Sequence, residues 1–263
     1  MRVKLAAKYH ATETPGRNSP ALVILHGLFG SANNWRHLAQ QLSNDYPVHA
    51  LDLRNHGTSP HDAYMTYTDM AGDVADYLDH ALTRPPVLIG HSMGGKAAMR
   101  LALAEGDCLA RLIVVDIAPV PNRHDFYNLL DAMSELDTRT LKRRSDADEA
   151  LKKRVPEESL RQFLLQNLTH GEAGYQWRIN LEAIRSNMEA ILDFPWPDDW
   201  KPFEHPTLFI RGEQSDYIRA EHDDLIHELF PKARTATICN AGHWLHTEQP
   251  QQFLHEVRDF LET

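Results

Sequence analysis

Apolar residues follow two rhythms in this chain. An unbroken apolar run at 21–25 and mostly apolar runs at 48–53, 87–89, 112–118, 207–210 and 235–238 read as strands of a buried sheet. Between them apolar positions recur at helical spacing: Trp35, Leu38, Ala39 and Leu42; Met70, Val74, Leu78 and Leu82; then Ala97, Ala98, Met99, Leu101 and Ala102. Residues 2–10 alternate loosely, as an edge strand would, and residues 14–20 form a loop by composition. Strand, helix, strand, helix, strand predicts a doubly wound, mostly parallel sheet flanked by helices, with ligands at the carboxyl ends of the strands.

The rhythm changes after Pro119 and Pro121. Between 122 and 200 only helical patterns stand out: Phe126, Leu129, Leu130 and Met133; Leu160, Phe163, Leu164 and Leu168; Ile179, Ala183, Ile184 and Ile191. Pro195-Trp196-Pro197 closes the block. Residues 1–121 and 201–263 are therefore expected to form one α/β core, with 122–200 a helical cap over the strand ends. The strand at 207–210 resumes the sheet, a helix carries Leu225, Leu229 and Phe230, and a terminal helix carries Phe253, Val257, Phe260 and Leu261.

Chemistry gathers at the ends of the apolar runs. The run at 87–89 breaks into Gly90-His91-Ser92-Met93-Gly94 and then a helix, the strand-turn-helix context that a G-x-S-x-G nucleophile elbow needs. The glycines leave room around a strained Ser92, and the helix aims its N-terminus where an oxyanion would form. Asp116 ends the next run, and His243 follows the last one in Asn240-Ala241-Gly242-His243. The order Ser, Asp, His matches the α/β-hydrolase triad: Ser92 as nucleophile, His243 as base, a carboxylate orienting the imidazole. His246 lies close to His243 and competes for its role. Asp216, beyond Gly212-Glu213-Gln214-Ser215, competes with Asp116.

Composition narrows the remaining classes. The chain has 263 residues, 42% hydrophobic and 24% charged, ordinary values for one large globular domain with an insertion. A formal net charge of −10 argues against nucleic-acid binding. No apolar run approaches the about 18 residues of a membrane span. The N-terminal residues lack a signal peptide's apolar core, and Cys108 and Cys239 suggest neither a disulfide framework nor a zinc site, so the expected location is cytoplasmic. The sixteen histidines show no metal-ligand spacing, and no metal or cofactor is expected. Arg139, Lys142, Arg143, Arg144, Lys152, Lys153 and Arg154 cluster in the cap block, as a solvated face or as contacts for the phosphates of a coenzyme A leaving group.

With these residues in view, the chain resembles the α/β-hydrolases, and within them the bacterial YbfF-type esterases and their animal alpha/beta-hydrolase-domain relatives. The resemblance is carried by His26-Gly27-Leu28-Phe29-Gly30-Ser31, Asp52-Leu53-Arg54-Asn55-His56-Gly57, Gly90–Lys96, Val115-Asp116-Ile117-Ala118-Pro119 and Ala241-Gly242-His243-Trp244. It implies an α/β-hydrolase fold with a small helical cap inserted after the sixth strand. It also implies a cofactor-free serine hydrolase of acyl esters, or of acyl-CoA thioesters, working through an acyl-enzyme. Asp116 is then the acid and Ser215 a hydrogen-bonding support. The backbone N–H groups of Leu28 and Met93 form the oxyanion hole. Leu28, Phe29 and Met93 are expected to line an apolar acyl pocket, with ordinary core packing an equal reading for Phe29, while His26, Arg54 and His56 are expected to brace loops. Ser92 excludes the Asp-nucleophile dehalogenases and epoxide hydrolases. Cofactor-free haloperoxidases and carbon–carbon bond hydrolases share the triad and stay open. A non-catalytic ligand-binding protein on this fold usually lacks a triad member, and this chain lacks none. The physiological substrate and the oligomeric state are not legible.

Overall fold

A computed structural model describes residues 2–12, 19–122, 124–172, 174–196 and 199–262. Its strands are β1 (Ala6–His10), β2 (Leu22–Leu25), β3 (Val48–Asp52), β4 (Val87–His91), β5 (Arg111–Val115), β6 (Leu168–Gly171), β7 (Gly174–Trp177), β8 (Thr207–Gly212) and β9 (Ala233–Ile238). Seven of them form one sheet in the order β1-β3-β2-β4-β5-β8-β9. Only β1 runs antiparallel, pairing Ala6 with Asp52 through His10 with Val48 at the sheet edge. Of the predicted loop at 14–20, residues 14–18 lie outside the described residues, as does Pro197.

The apolar runs are strands because both faces are covered. Leu22 and Ile24 point into one layer with Val87, Ile89, Ile113 and Val115, packed against helices Arg36–Leu42 and Pro250–Glu262. Val23, Leu25, Leu88 and Val114 point into the other layer, against helices Tyr67–Ala81 and Met93–Glu105. Helix Tyr67–Ala81 starts at Thr66, whose hydroxyl accepts from Asp69 N at 3.1 Å while Asp69 Oδ2 accepts from Thr66 N at 3.1 Å. Reciprocal capping of this kind satisfies two amides that the helix leaves unpaired.

The parallel order puts the ends of β4, β5 and β8 side by side. Between β5 and β8 the chain leaves the sheet through helices Tyr127–Glu135, Arg144–Leu151, Glu158–Leu165, Leu181–Ser186 and Met188–Leu192. This excursion follows the fifth strand of the chain, not the sixth.

Two expectations for the excursion need correction. It is not purely helical, because β6 and β7 pair as a hairpin with Thr169 opposite Gln176. The helical pattern that includes Leu168 stops at Leu165, and Leu168 opens β6 instead. The helix expected through Ile179–Ile191 is also broken. Asn187, between Leu181–Ser186 and Met188–Leu192, spends its side chain on the core, accepting from Met65 N at 3.0 Å and donating to Ala63 O at 2.8 Å.

Candidate active site

Ser92 stands between β4 and helix Met93–Glu105 with φ 52 and ψ −118, a conformation costly for a residue with a Cβ. The surrounding backbone holds it there. Ser92 N donates to Val115 O at 3.0 Å, and Lys96 N donates to Ser92 O at 3.0 Å. A Cβ on Gly90 would lie 2.4 Å from Gly94 O, and one on Gly94 would lie 2.6 Å from His26 O. The elbow's glycines are thus required by close backbone approach on both sides of the turn.

Asp116 lies just past β5 with φ 51, its side chain fully buried. Its Oδ1 accepts from Gly212 N at 3.0 Å; its Oδ2 accepts from Ser215 Oγ at 2.5 Å and from His243 Nδ1 at 2.7 Å. A carboxylate can only accept here, so His243 carries its proton on Nδ1 and leaves Nε2 as the basic nitrogen. Asp216 sits elsewhere. Its side chain is 72% exposed and lies 3.4 Å from His124 Nε2. His246 is also set apart, stacked on Trp35 with ring centroids 4.3 Å apart and planes at 4°. Burial, with His243 nearby, pushes its imidazole down to about 3.

Ser92 and His243 open into one cleft of about 370 Å³, lined from the core by Leu28, Phe29 and Trp244 and from the excursion by Phe126, Leu160 and Phe163. Met93 is not among its lining residues; it borders a smaller void beneath Ser92 with Tyr67, Lys96 and Ile191. Among the described residues neither Leu28 N nor Met93 N has an acceptor, so both amides are free to donate.

The His-Gly loop is braced from both sides. Phe29, at φ 61, donates its amide to His56 Nε2 at 3.2 Å. Its carbonyl accepts from Asn167 Nδ2 of the excursion at 2.8 Å. His26 borders the cleft, but its polar atoms serve the backbone: Nδ1 donates to Gly27 O at 2.8 Å and Nε2 accepts from Leu53 N at 3.0 Å. Arg54 is buried and meets Asp73 through Nε at 2.6 Å and Nη2 at 2.7 Å. These three side chains hold loops.

Other residues at the site carry little sequence signal. Tyr217 lies flat on His243, with ring centroids 3.9 Å apart. His91 donates from Nε2 to His243 O at 2.9 Å. Lys96 is the exception, a charge one turn past Ser92 in an apolar helix and so legible in principle. Its ammonium reaches Leu192 O at 3.1 Å and Asp193 O at 2.9 Å, and burial pushes it down to about 7. The basic cluster does not reach the cleft. Arg139 pairs with Asp137 at 2.8 Å, Arg143 with Asp146 at 3.4 Å, Lys152 with Glu149 at 3.5 Å and Arg154 with Glu135 at 2.5 Å. Arg144 donates to the carbonyls of Leu165 and Leu168. Among the described residues no group of three His, Cys, Asp or Glu side chains is placed to hold a metal ion.

Residues 22–256 match the Alpha/beta hydrolase family. This chain belongs to that family. It is 42% identical over 252 residues to the sn-1-specific diacylglycerol lipase ABHD11 of Xenopus laevis, an alignment covering 93% of this chain and 80% of that one. It is 38% identical to Esterase YbfF of Escherichia coli K12, with 98% and 99% of the two chains covered. Among solved structures it superposes on a marine microorganism esterase with a TM-score of 0.91, 36% identity, and 98% and 99% coverage. The α/β-hydrolase fold and the narrower YbfF-like resemblance both hold, and this chain is a hydrolytic enzyme.

Proposed function

We propose that this enzyme hydrolyses carboxylic esters with an apolar acyl group through Ser92, His243 and Asp116. The observation that carries the proposal is the 2.7 Å contact of His243 Nδ1 with buried Asp116, in the cleft into which Ser92 opens. His243 Nε2 takes the Ser92 proton as Oγ attacks the acyl carbon. The tetrahedral oxyanion accepts from the Leu28 and Met93 amides. His243 returns the proton to the departing alcohol, leaving Ser92 acylated. Water, deprotonated by His243, then releases the acid and restores Ser92. Ser215 and Gly212 donate to Asp116 and keep its oxygens facing the imidazole.

Residues 1–121 and 201–263 serve as the catalytic core and 122–200 as the cap. Phe126, Leu160 and Phe163 of the cap make the acyl pocket apolar. Acyl thioesters present the same carbon to Ser92 and fall within the proposal. Five of the seven basic residues of the cap cluster meet acidic partners or carbonyls and none of the seven lines the cleft, which fits the solvated-face reading and not phosphate contact. The two free cysteines suit a reducing compartment, and the proposal places the enzyme in the cytoplasm. No helix among the described residues is long and apolar enough to cross a membrane.

Ser92→Ala, with the fold checked by circular dichroism, is the direct test. It should abolish hydrolysis of nitrophenyl esters and labelling by a fluorophosphonate, while EDTA leaves the wild type unchanged. Turnover that survives in Ser92→Ala, or that EDTA removes, overturns the assignment.

A further inference from the structure

Three aromatic rings form one continuous stack beside the nucleophile. Tyr217 lies on His243 with centroids 3.9 Å apart and planes at 16°. Its opposite face takes His124, at 4.3 Å and 8°. The three rings come from separate stretches: His124 from the start of the cap, Tyr217 from the loop after β8, and His243 from the loop after β9. All of them line the active-site cleft. The ends of the stack are pinned: His124 Nε2 lies 3.4 Å from Asp216, and His243 Nδ1 donates to Asp116 at 2.7 Å.

We propose that Tyr217 is a positioning residue for His243, its ring face stabilising the imidazolium formed when the base takes the Ser92 proton, with His124 holding that ring from the cap. The inference rests on the reading of His243 as the base. An aromatic face carries negative potential and attracts a cation more than a neutral ring. The attraction therefore grows as the proton moves from Ser92 Oγ to His243 Nε2, which lowers the barrier rather than merely tightening binding. The other groups around His243 leave this part to Tyr217. Asp116 holds Nδ1. His91, with ring centroid 4.7 Å from that of His243, and His246 are both kept neutral by burial. Trp244 meets His243 edge-on at 5.8 Å and 64°. Burial pushes the Tyr217 phenol up to about 12, so it stays neutral at working pH.

The test compares Tyr217→Leu, Tyr217→Phe and His124→Ala with wild type, measuring kcat and KM for a nitrophenyl ester from pH 5 to 9. Leucine keeps an apolar cover on His243 and removes the π face. Tyr217→Leu should lower kcat about three- to thirtyfold, more than it changes KM. It should also move the acid limb of the kcat/KM profile to lower pH, because the imidazolium has lost a stabilising partner. Tyr217→Phe keeps the face and should retain both the rate and the profile. His124→Ala should shift both in the leucine direction by a smaller amount. An unchanged profile in Tyr217→Leu overturns the proposal. So does a Tyr217→Phe variant as impaired as leucine, which would assign the effect to the hydroxyl. A silent His124→Ala removes the cap from it. Ser92→Ala, assayed alongside, separates the two readings: if it stays active the triad assignment falls, and if it is dead while Tyr217→Leu is normal only this inference falls.

Discussion

His56 Nε2 accepts the amide proton of Phe29 at 3.2 Å, while its Nδ1 donates to Arg54 O at 2.9 Å. That imidazole can do both only when neutral. It joins the Arg-Asn-His-Gly loop to the loop that presents Leu28 N, so the proposed oxyanion donor depends on a histidine outside the cleft lining.

Acid should therefore loosen the enzyme before its carboxylates titrate. Burial lowers His26, pushes His56 and His246 down to about 3, and holds His91 well below the ordinary range. Each folded value is depressed, so each group's stabilising contribution is present above the unfolded pKa of about 6.5 and lost as pH falls toward the folded value. Each contributes a slope of up to about 1.4 kcal/mol per pH unit in that window. Urea melts from pH 7 to 4 should show stability falling steeply below pH 6.5, with a shallower fall in His56→Gln. Parallel curves for the two proteins would show that His56 does not carry this linkage.

The buried carboxylate should matter far more than the exposed one. Loss of the orienting acid lets the imidazole adopt the wrong tautomer, which costs about 10⁴ in kcat in the serine-protease precedent. Asp116→Asn should lower kcat by several orders of magnitude with KM little changed. Asp216→Asn should cost less than about tenfold, or roughly 1.4 kcal/mol of barrier. Ser215→Ala should fall between them, because it removes one of the two protein donors that fix the carboxylate against His243. A crippled Asp216→Asn beside a healthy Asp116→Asn would reverse the assignment.

Lys96 should make stability rise through the alkaline range. Its amine meets two carbonyls, the number that a neutral NH₂ can serve, and burial lowers its folded pKa to about 7 from an unfolded value near 10.5. Between those values the unfolded chain binds the extra proton, so stability grows as pH rises from about 7 toward 10 and is penalised below it. Melting temperatures of Lys96→Met and wild type should diverge from pH 7 to 9, the wild type gaining. A constant offset across that range would rule out the titration.

What the sequence shows and what it hides divide along physical lines. The core strands are legible because residues such as Val23, Ile24, Leu88 and Val114 must be apolar on both sheet faces. Ser92 and His243 are legible because a strand end followed by glycine leaves few ways to place a side chain. Asp116 over Asp216 is a matter of one strand end against one loop register; the sequence alone gives Asp116 a modest edge, and resemblance widens it. The hairpin of β6 and β7 is hidden because its four-residue strands are polar and half exposed, with no apolar alternation to announce them. Asn187 breaks a helical pattern through bonds to residues more than a hundred positions away, which no local window contains. The Tyr217 stack is invisible for the same reason: its three rings meet only after β5, β8 and β9 lie side by side.

The bonds that fasten the 122–200 excursion to the sheet core have a consequence for how this enzyme can diversify. Asn167 holds Phe29 O, Asn180 holds both Asn55 O and Asn55 Oδ1, Asn187 holds the Ala63–Met65 turn, and Tyr67 Oη holds Ile191 O at 2.6 Å. None of these asparagines lines the cleft; the apolar residues of the excursion that do, Phe126, Leu129, Leu160 and Phe163, have no polar side-chain atom, Asn128 bonds Asp125 beside it, and His124 meets Asp216 of the core. His124 apart, attachment and pocket shape thus draw on different residues of the stretch 122–200. Mutation can redraw the pocket through Leu160 or Phe163 without touching the seams, so a library confined to those lining positions is a route to new acyl selectivity on an intact frame.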